Sequence, residues 1–138
     1  MAFSVVRGVF VLGVALIVVA CSSTPKKPAE GMGMVFNQPI DAVRTATANA
    51  LAVHGFNIEE QTDTYLRGSR PRKIGFFVGS GGETVGVWLD ALDEGRTRVM
   101  VSTAKSFVGY AGQKNWDNDI YFEIRQDLTK ADLEKPQT

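Results

Sequence analysis

The feature that most constrains the fold is a pair of stretches with apolar residues at every second position, on either side of Asp93-Glu94-Gly95. Residues 84–92 and 96–104 each turn their aliphatic side chains to one side and their polar side chains to the other. A period of two is typical of a half-buried strand, and a short glycine-containing turn joins antiparallel neighbours. We therefore predict a β-hairpin with Gly95 at a positive φ, in a sheet that is covered on one face.

Helical periodicity flanks the strands. Apolar residues at three- and four-residue steps from Ile40 to His54 predict a helix with Asn37 as its N-cap, Pro39 in its first turn and Gly55 as its C′ residue. A second apolar stripe follows Asn115 and predicts a C-terminal helix with Asn115 as its N-cap. The strands predicted between the first helix and the hairpin are residues 56–61, 65–69 and 73–78. This order predicts an α+β fold, an antiparallel sheet of four or five strands with two amphipathic helices packed on one face.

The N-terminal segment has the composition of an export signal. Arg7 is followed by an apolar run from Val9 to Ala20, and Cys21, the single cysteine of the chain, ends the run. Secretory signals have an apolar region of about 7–15 residues, whereas a spanning helix needs about 20. The pattern therefore predicts a signal peptide over residues 1–20 and not a membrane span.

The end of this run, Val18-Val19-Ala20-Cys21, resembles the bacterial lipobox. The resemblance implies diacylglyceryl transfer to the Cys21 sulfur, cleavage before Cys21 and acylation of the new amino terminus. Two or three acyl chains give a lasting bilayer anchor where one gives only marginal binding. Ser22 stands where an aspartate would signal retention in the inner membrane, which implies the outer membrane, facing the periplasm. An ordinary secretory signal with a free cysteine is the alternative.

Domain organisation follows from length and composition. Residues 21–35 are rich in Ser, Thr, Pro, Lys and Gly without apolar periodicity, and we predict a flexible tether. Residues 36–135 suffice for a single domain with one core. With 15 basic and 15 acidic residues, the chain lacks the basic excess of a nucleic-acid-binding protein.

Two clusters are candidate binding surfaces. Phe77, Trp88 and Met100 are predicted on the face of the sheet away from the helices, where an exposed apolar group marks a partner surface. Packing of residues 106–112 over that face is the alternative. The basic residues around Pro71, where the second and third predicted strands meet, are candidates for an anion contact, or for a charged edge that prevents aggregation. They are Arg67, Arg70, Arg72 and Lys73.

Catalytic and cofactor chemistry has little support in the sequence. His54 is the single histidine, and we expect a capping or half-buried role for it. The glycines of residues 79–82 lead into a strand pattern and not into the helix that a phosphate loop requires. No nucleophile, base and orienting group can be assembled from these residue types. We expect no metal, no cofactor and no enzymatic activity.

In outline the predicted fold is similar to small α+β domains of envelope lipoproteins, including accessory lipoproteins of outer-membrane protein assembly. The similarity is one of architecture and location, and fold alone does not determine function. It implies a non-catalytic binding or accessory module with a protein partner in the cell envelope. A binder of a lipid, a glycan or another small ligand is the alternative.

Overall fold

The computed structural model describes residues 24–71, 82–105 and 113–135. The helices and strands within those ranges are β1 (Met34–Phe36), α1 (Ile40–Val53), β2 (Asn57–Gln61), β3 (Tyr65–Ser69), β4 (Thr84–Asp93), β5 (Arg96–Ala104) and α2 (Asp117–Glu134). The strands form one antiparallel sheet in the order β1-β5-β4-β3-β2. The predicted α+β class is confirmed.

The core lies between one face of the sheet and the two helices, which contact each other and the sheet. Its fully buried apolar side chains include Val43, Leu51, Leu66, Val85, Val87, Leu89, Val99, Ile120 and Ile124. Burying one such side chain stabilises the fold by about 1.5–3 kcal/mol. The alternating positions of β4 and β5 and the stripes of both helices therefore meet in a single core, as their periodicity predicts.

The hairpin turn differs from the prediction. Val87 lies opposite Val101, so β4 and β5 form the predicted antiparallel hairpin with these aliphatic side chains on one face. Gly95, however, does not have a positive φ, and that part of the prediction is wrong. The Asp93 carboxylate accepts a hydrogen bond from the Gly95 N–H at 3.0 Å, and the register shifts between Ala91 and Asp93. The aspartate side chain and the bulge shape this turn, so it does not need the left-handed conformation.

Gly55 ends α1 as predicted. It has a φ of +77°, and its N–H donates to the Ala52 carbonyl at 2.9 Å. The next amide, Phe56 N–H, donates to the Leu51 carbonyl at 2.9 Å. These two bonds satisfy carbonyls at the helix end in a Schellman motif, which requires the positive φ that glycine adopts without strain.

The start of α1 corrects a prediction. Asn37 is not the N-cap, because Pro39 occupies that position in an extended conformation, with φ −64° and ψ 153°, and no side chain caps the helix. The helix begins at Ile40. The N-cap of α2 is Trp116 and not Asn115 as predicted, although the Asn115 side-chain oxygen accepts a hydrogen bond from the Asp117 N–H at 2.9 Å.

Strand β1 was not predicted. Met34 pairs with Val99 and Phe36 with Thr97, so the sheet begins within residues 21–35, the predicted tether. Three residues are too few to show a period of two. The strand predicted over residues 73–78 lies outside the described residues, and β3 pairs directly with β4.

Candidate functional site

The face of the sheet away from the helices, here called the outer face, carries Trp88 as predicted. Trp88 is half-buried and pairs across the strands with Tyr65, their ring centroids 5.0 Å apart. Burial raises the pKa of the Tyr65 hydroxyl. The two rings form a small aromatic patch on β3 and β4, of the kind that cross-strand packing stabilises.

Met100 does not belong to an exposed patch. It lies opposite Trp88 on the outer face, yet 0% of its surface is exposed, so the prediction that it is accessible is wrong. The chain just before β1 crowds it, since a Cβ at Gly33 would lie 2.8 Å from the Met100 Cγ. Phe77 and residues 106–112, which we predicted on this face, lie outside the described residues.

Residues 24–33, here called the overlying segment, lie across the outer face. Pro25 is buried there, and a Cβ at Gly86 would lie 2.9 Å from the Pro25 Cβ and 2.8 Å from the Trp88 ring. Further along, the Lys27 Nζ is 3.5 Å from the Asp90 carboxylate of β4. Pro25 and Lys27 of the predicted tether are therefore in contact with the domain. Composition missed this because a glycine on the facing strand makes room for the proline.

We expect Gly86→Ala to destabilise the domain and loosen the overlying segment. The added methyl would meet the Pro25 Cβ and the Trp88 ring within 3 Å. Overpacking of this kind costs about 1–3 kcal/mol. Gly95→Ala is the matched control, because its nearest neighbour would be 4.0 Å away and its φ is not positive. Urea unfolding of both variants measures the difference, and equal loss of stability would show that the Gly86 contact is unimportant.

The predicted basic cluster is not one site in the described residues. Arg67 lies between Glu59 and Glu60 of β2, with nitrogen–oxygen distances of 3.6 and 3.7 Å. Arg70 is three residues further and points to the other side of the sheet, as strand alternation requires. Its guanidinium is 4.0 Å from the Glu83 carboxylate. Each of these arginines faces carboxylates, and Arg72 and Lys73 lie outside the described residues.

Trp116 is the centre of a second aromatic cluster, at the end of the sheet where β3 ends and β4 begins. The Arg70 guanidinium and the Lys114 ammonium lie 4.5 and 4.4 Å from its ring. The His54 and Phe56 rings pack against it, with centroid distances of 5.3 and 5.6 Å. His54 is the C-cap residue of α1 and half-buried, as predicted. Cation–π and ring contacts in this cluster hold the end of α1, the end of β3 and the start of α2 together.

A surface groove lies where β5 extends beyond β1. Its volume is about 490 Å³, within the range of ligand sites. Lys26, Pro28 and Met32 of the overlying segment form one wall. The other wall is the first turn of α2, and Val101 and Ser102 of β5 lie between them. The groove thus runs along a strand edge and has lysines on one side and Asp117 on the other.

The Tyr121 hydroxyl takes the place of a neighbouring strand at this edge. It accepts a hydrogen bond from the Val101 N–H at 3.0 Å and donates one to the Val99 carbonyl at 3.2 Å. Burial raises the pKa of Tyr121, which keeps this donor protonated. Beyond it, the Thr103 hydroxyl donates to Asp117 at 2.6 Å. Periodicity predicts the helix that carries Tyr121, but no local signal links its hydroxyl to a strand edge.

Metal sites, membrane-spanning helices and similar proteins would each give a further indication of function. Within residues 24–71, 82–105 and 113–135, no three His, Cys, Asp or Glu side chains are arranged to hold a metal ion. Neither helix in this described part has the length and apolarity needed to cross a bilayer. No protein-family model matches the chain, and no curated protein is similar to it at a significant level.

Proposed function

We propose that this chain is a lipoprotein anchored through acyl chains on Cys21. Its membrane is the outer membrane, on the side that faces the periplasm. Its domain is a non-catalytic binding module of the cell envelope. The support for the anchor is the resemblance of residues 18–21 to the lipobox, with Ser22 after the cysteine. The support for binding is the groove beside β5. We further propose that a protein partner lays an extended segment in this groove.

The observation that carries the binding proposal is the part of the β5 edge with which no described strand pairs. Strand β1 pairs only with Thr97 to Val99, whereas β5 continues to Ala104. An extended peptide that adds to a strand edge gains main-chain hydrogen bonds, each of about 0.5–1.5 kcal/mol net, while side-chain pockets supply specificity. The Tyr121 hydroxyl already satisfies the Val101 N–H that such a peptide would use. A peptide that adds at this position would have to displace the Tyr121 hydroxyl.

The alternative, a binder of lipid, glycan or another small ligand, is supported by the same groove volume of about 490 Å³. Lysines at its rim suit an anionic group. A second surface cavity, near Phe36, Gln38 and Arg125, has about 160 Å³ and is small for such ligands.

We expect Asn118→Arg to abolish co-purification of a stoichiometric partner from detergent-solubilised envelopes. Asn118 is exposed and lines the groove, so the larger charged side chain fills the groove without entering the core. Gln126→Arg is the matched control, since it adds the same charge at an exposed α2 position outside the groove. An unchanged partner in the Asn118→Arg pull-down would exclude the groove. A bait that comes down alone but with bound lipid or glycan mass would favour the alternative.

A further inference from the structure

We infer that the lipid anchor holds the domain close to the bilayer, with the outer face of the sheet turned toward the lipid head groups. This inference rests on the proposed acylation of Cys21. Its basis is the distance along the chain from that cysteine to the first fastened residue. Pro25 is buried on β4, and only residues 22–24 separate it from Cys21.

The chain between the anchor and the domain is short. An extended chain spans at most about 3.6 Å per residue, so the path from Cys21 to Pro25 reaches no more than about 14 Å. The predicted tether ran to residue 35 and would have allowed a much larger separation. The contacts of Pro25 and Lys27 with β4 remove most of that length.

The position of the attachment determines which side faces the membrane. Pro25 lies on the outer face, and both helices cover the opposite face. The helix layer lies about 10 Å from the sheet, and a helix is itself about 10 Å across. To bring the helices to the bilayer, the link from Cys21 would have to pass around roughly 20 Å of protein, which is more than its reach of about 14 Å.

Side chains near the attachment suit a membrane surface. Met32 and Val35 are apolar and 74% and 45% exposed. Lys26 is exposed in the overlying segment. By contrast, α2 carries six acidic and two basic side chains. Anionic lipids attract lysines near the surface and repel an acidic helix, so the charge distribution favours the same orientation. The groove lies at a sheet edge and stays open sideways.

The test is oxidative footprinting of the full acylated protein in nanodiscs of phosphatidylethanolamine and phosphatidylglycerol. Hydroxyl radicals modify exposed side chains, and mass spectrometry reads each residue. Relative to soluble Cys21→Ala protein, we expect oxidation of Met32 and Val35 to fall severalfold. Oxidation of Phe122 on α2, which is 57% exposed, should not change. A flexible twenty-residue spacer inserted after Ser23 should restore oxidation of Met32 and Val35, because it frees the domain to rotate.

The outcomes separate this inference from the function it rests on. Intact-mass analysis of the nanodisc sample first establishes whether Cys21 is acylated. An acylated protein with unprotected Met32 and Val35, or with Phe122 protected instead, overturns the orientation and leaves the lipoprotein proposal standing. Protection that persists with the spacer shows that the outer face binds lipid without a short link to the anchor. That result overturns the short link as the cause of the orientation. A protein of unmodified mass overturns both.

Discussion

Cys21→Ala is expected to move the protein from the membrane fraction to the soluble periplasmic fraction. Each buried CH₂ of an acyl chain contributes about 0.8 kcal/mol to membrane binding, and two or three chains make release negligible. Because Cys21 is the single cysteine, its loss removes the only thiol that could carry a diacylglyceryl group. No other substitution in this chain is expected to change its location as much.

Cell fractionation with a carbonate wash, followed by intact-mass analysis, measures this effect. Ser22→Ala is the matched control, since it changes the neighbouring residue and keeps both the thiol and a small side chain after it. The control protein should stay with the membrane and retain the added mass of its acyl chains. Retention in washed membranes of Cys21→Ala protein whose mass shows that residues 1–20 have been removed would contradict lipid anchoring through this residue.

Arg70→Leu is expected to cost about 3 kcal/mol of unfolding free energy, because it leaves a buried carboxylate without its cation. Glu83 is 1% exposed, and one of its oxygens accepts the Lys114 backbone N–H at 3.2 Å. The other oxygen accepts no hydrogen bond from the described residues and lies 4.0 Å from the Arg70 guanidinium. The substitution also removes the cation from the face of Trp116, a contact of about 0.5–1 kcal/mol.

Arg67→Leu is the matched control and should cost less than about 1 kcal/mol. The carboxylates around Arg67 are 45% exposed, so water solvates them when the arginine is absent. Chemical denaturation of both variants measures the difference. The double variant Arg70→Leu with Glu83→Leu should regain much of the loss, since it removes the buried charge together with its partner. Equal losses in the two single variants would contradict the role of burial.

Arg67 and Arg70 show which contacts of a side chain can be predicted from the sequence and which cannot. The sequence grouped Arg67 and Arg70 by proximity along the chain. Strand alternation then separates them, because residues three apart in a strand point to opposite faces. Whether each one meets a carboxylate, and whether that carboxylate is buried, depends on β2 and on the residues before β4. Those neighbours are brought together by tertiary folding.

Periodicity predicted the α+β class, the β4–β5 hairpin and the end of α1 at Gly55, since each depends on spacing along the chain or on one glycine. It missed β1, which is too short to show a period, and the packing of residues 24–33, which depends on the absence of a side chain at Gly86. The lipobox resemblance likewise rests on consecutive residues and remains a prediction.

The sequence by itself therefore determined both helices, the strands β2 to β5 and the buried faces of β4 and β5, because helix and strand periods are local properties of the chain. The tertiary structure alone decided that Met100 is buried, that the Tyr121 hydroxyl occupies the β5 edge, and that Pro25 shortens the path to Cys21. These are contacts between residues far apart in the sequence. Their formation depends on how much space the facing side chains leave, which no local pattern records.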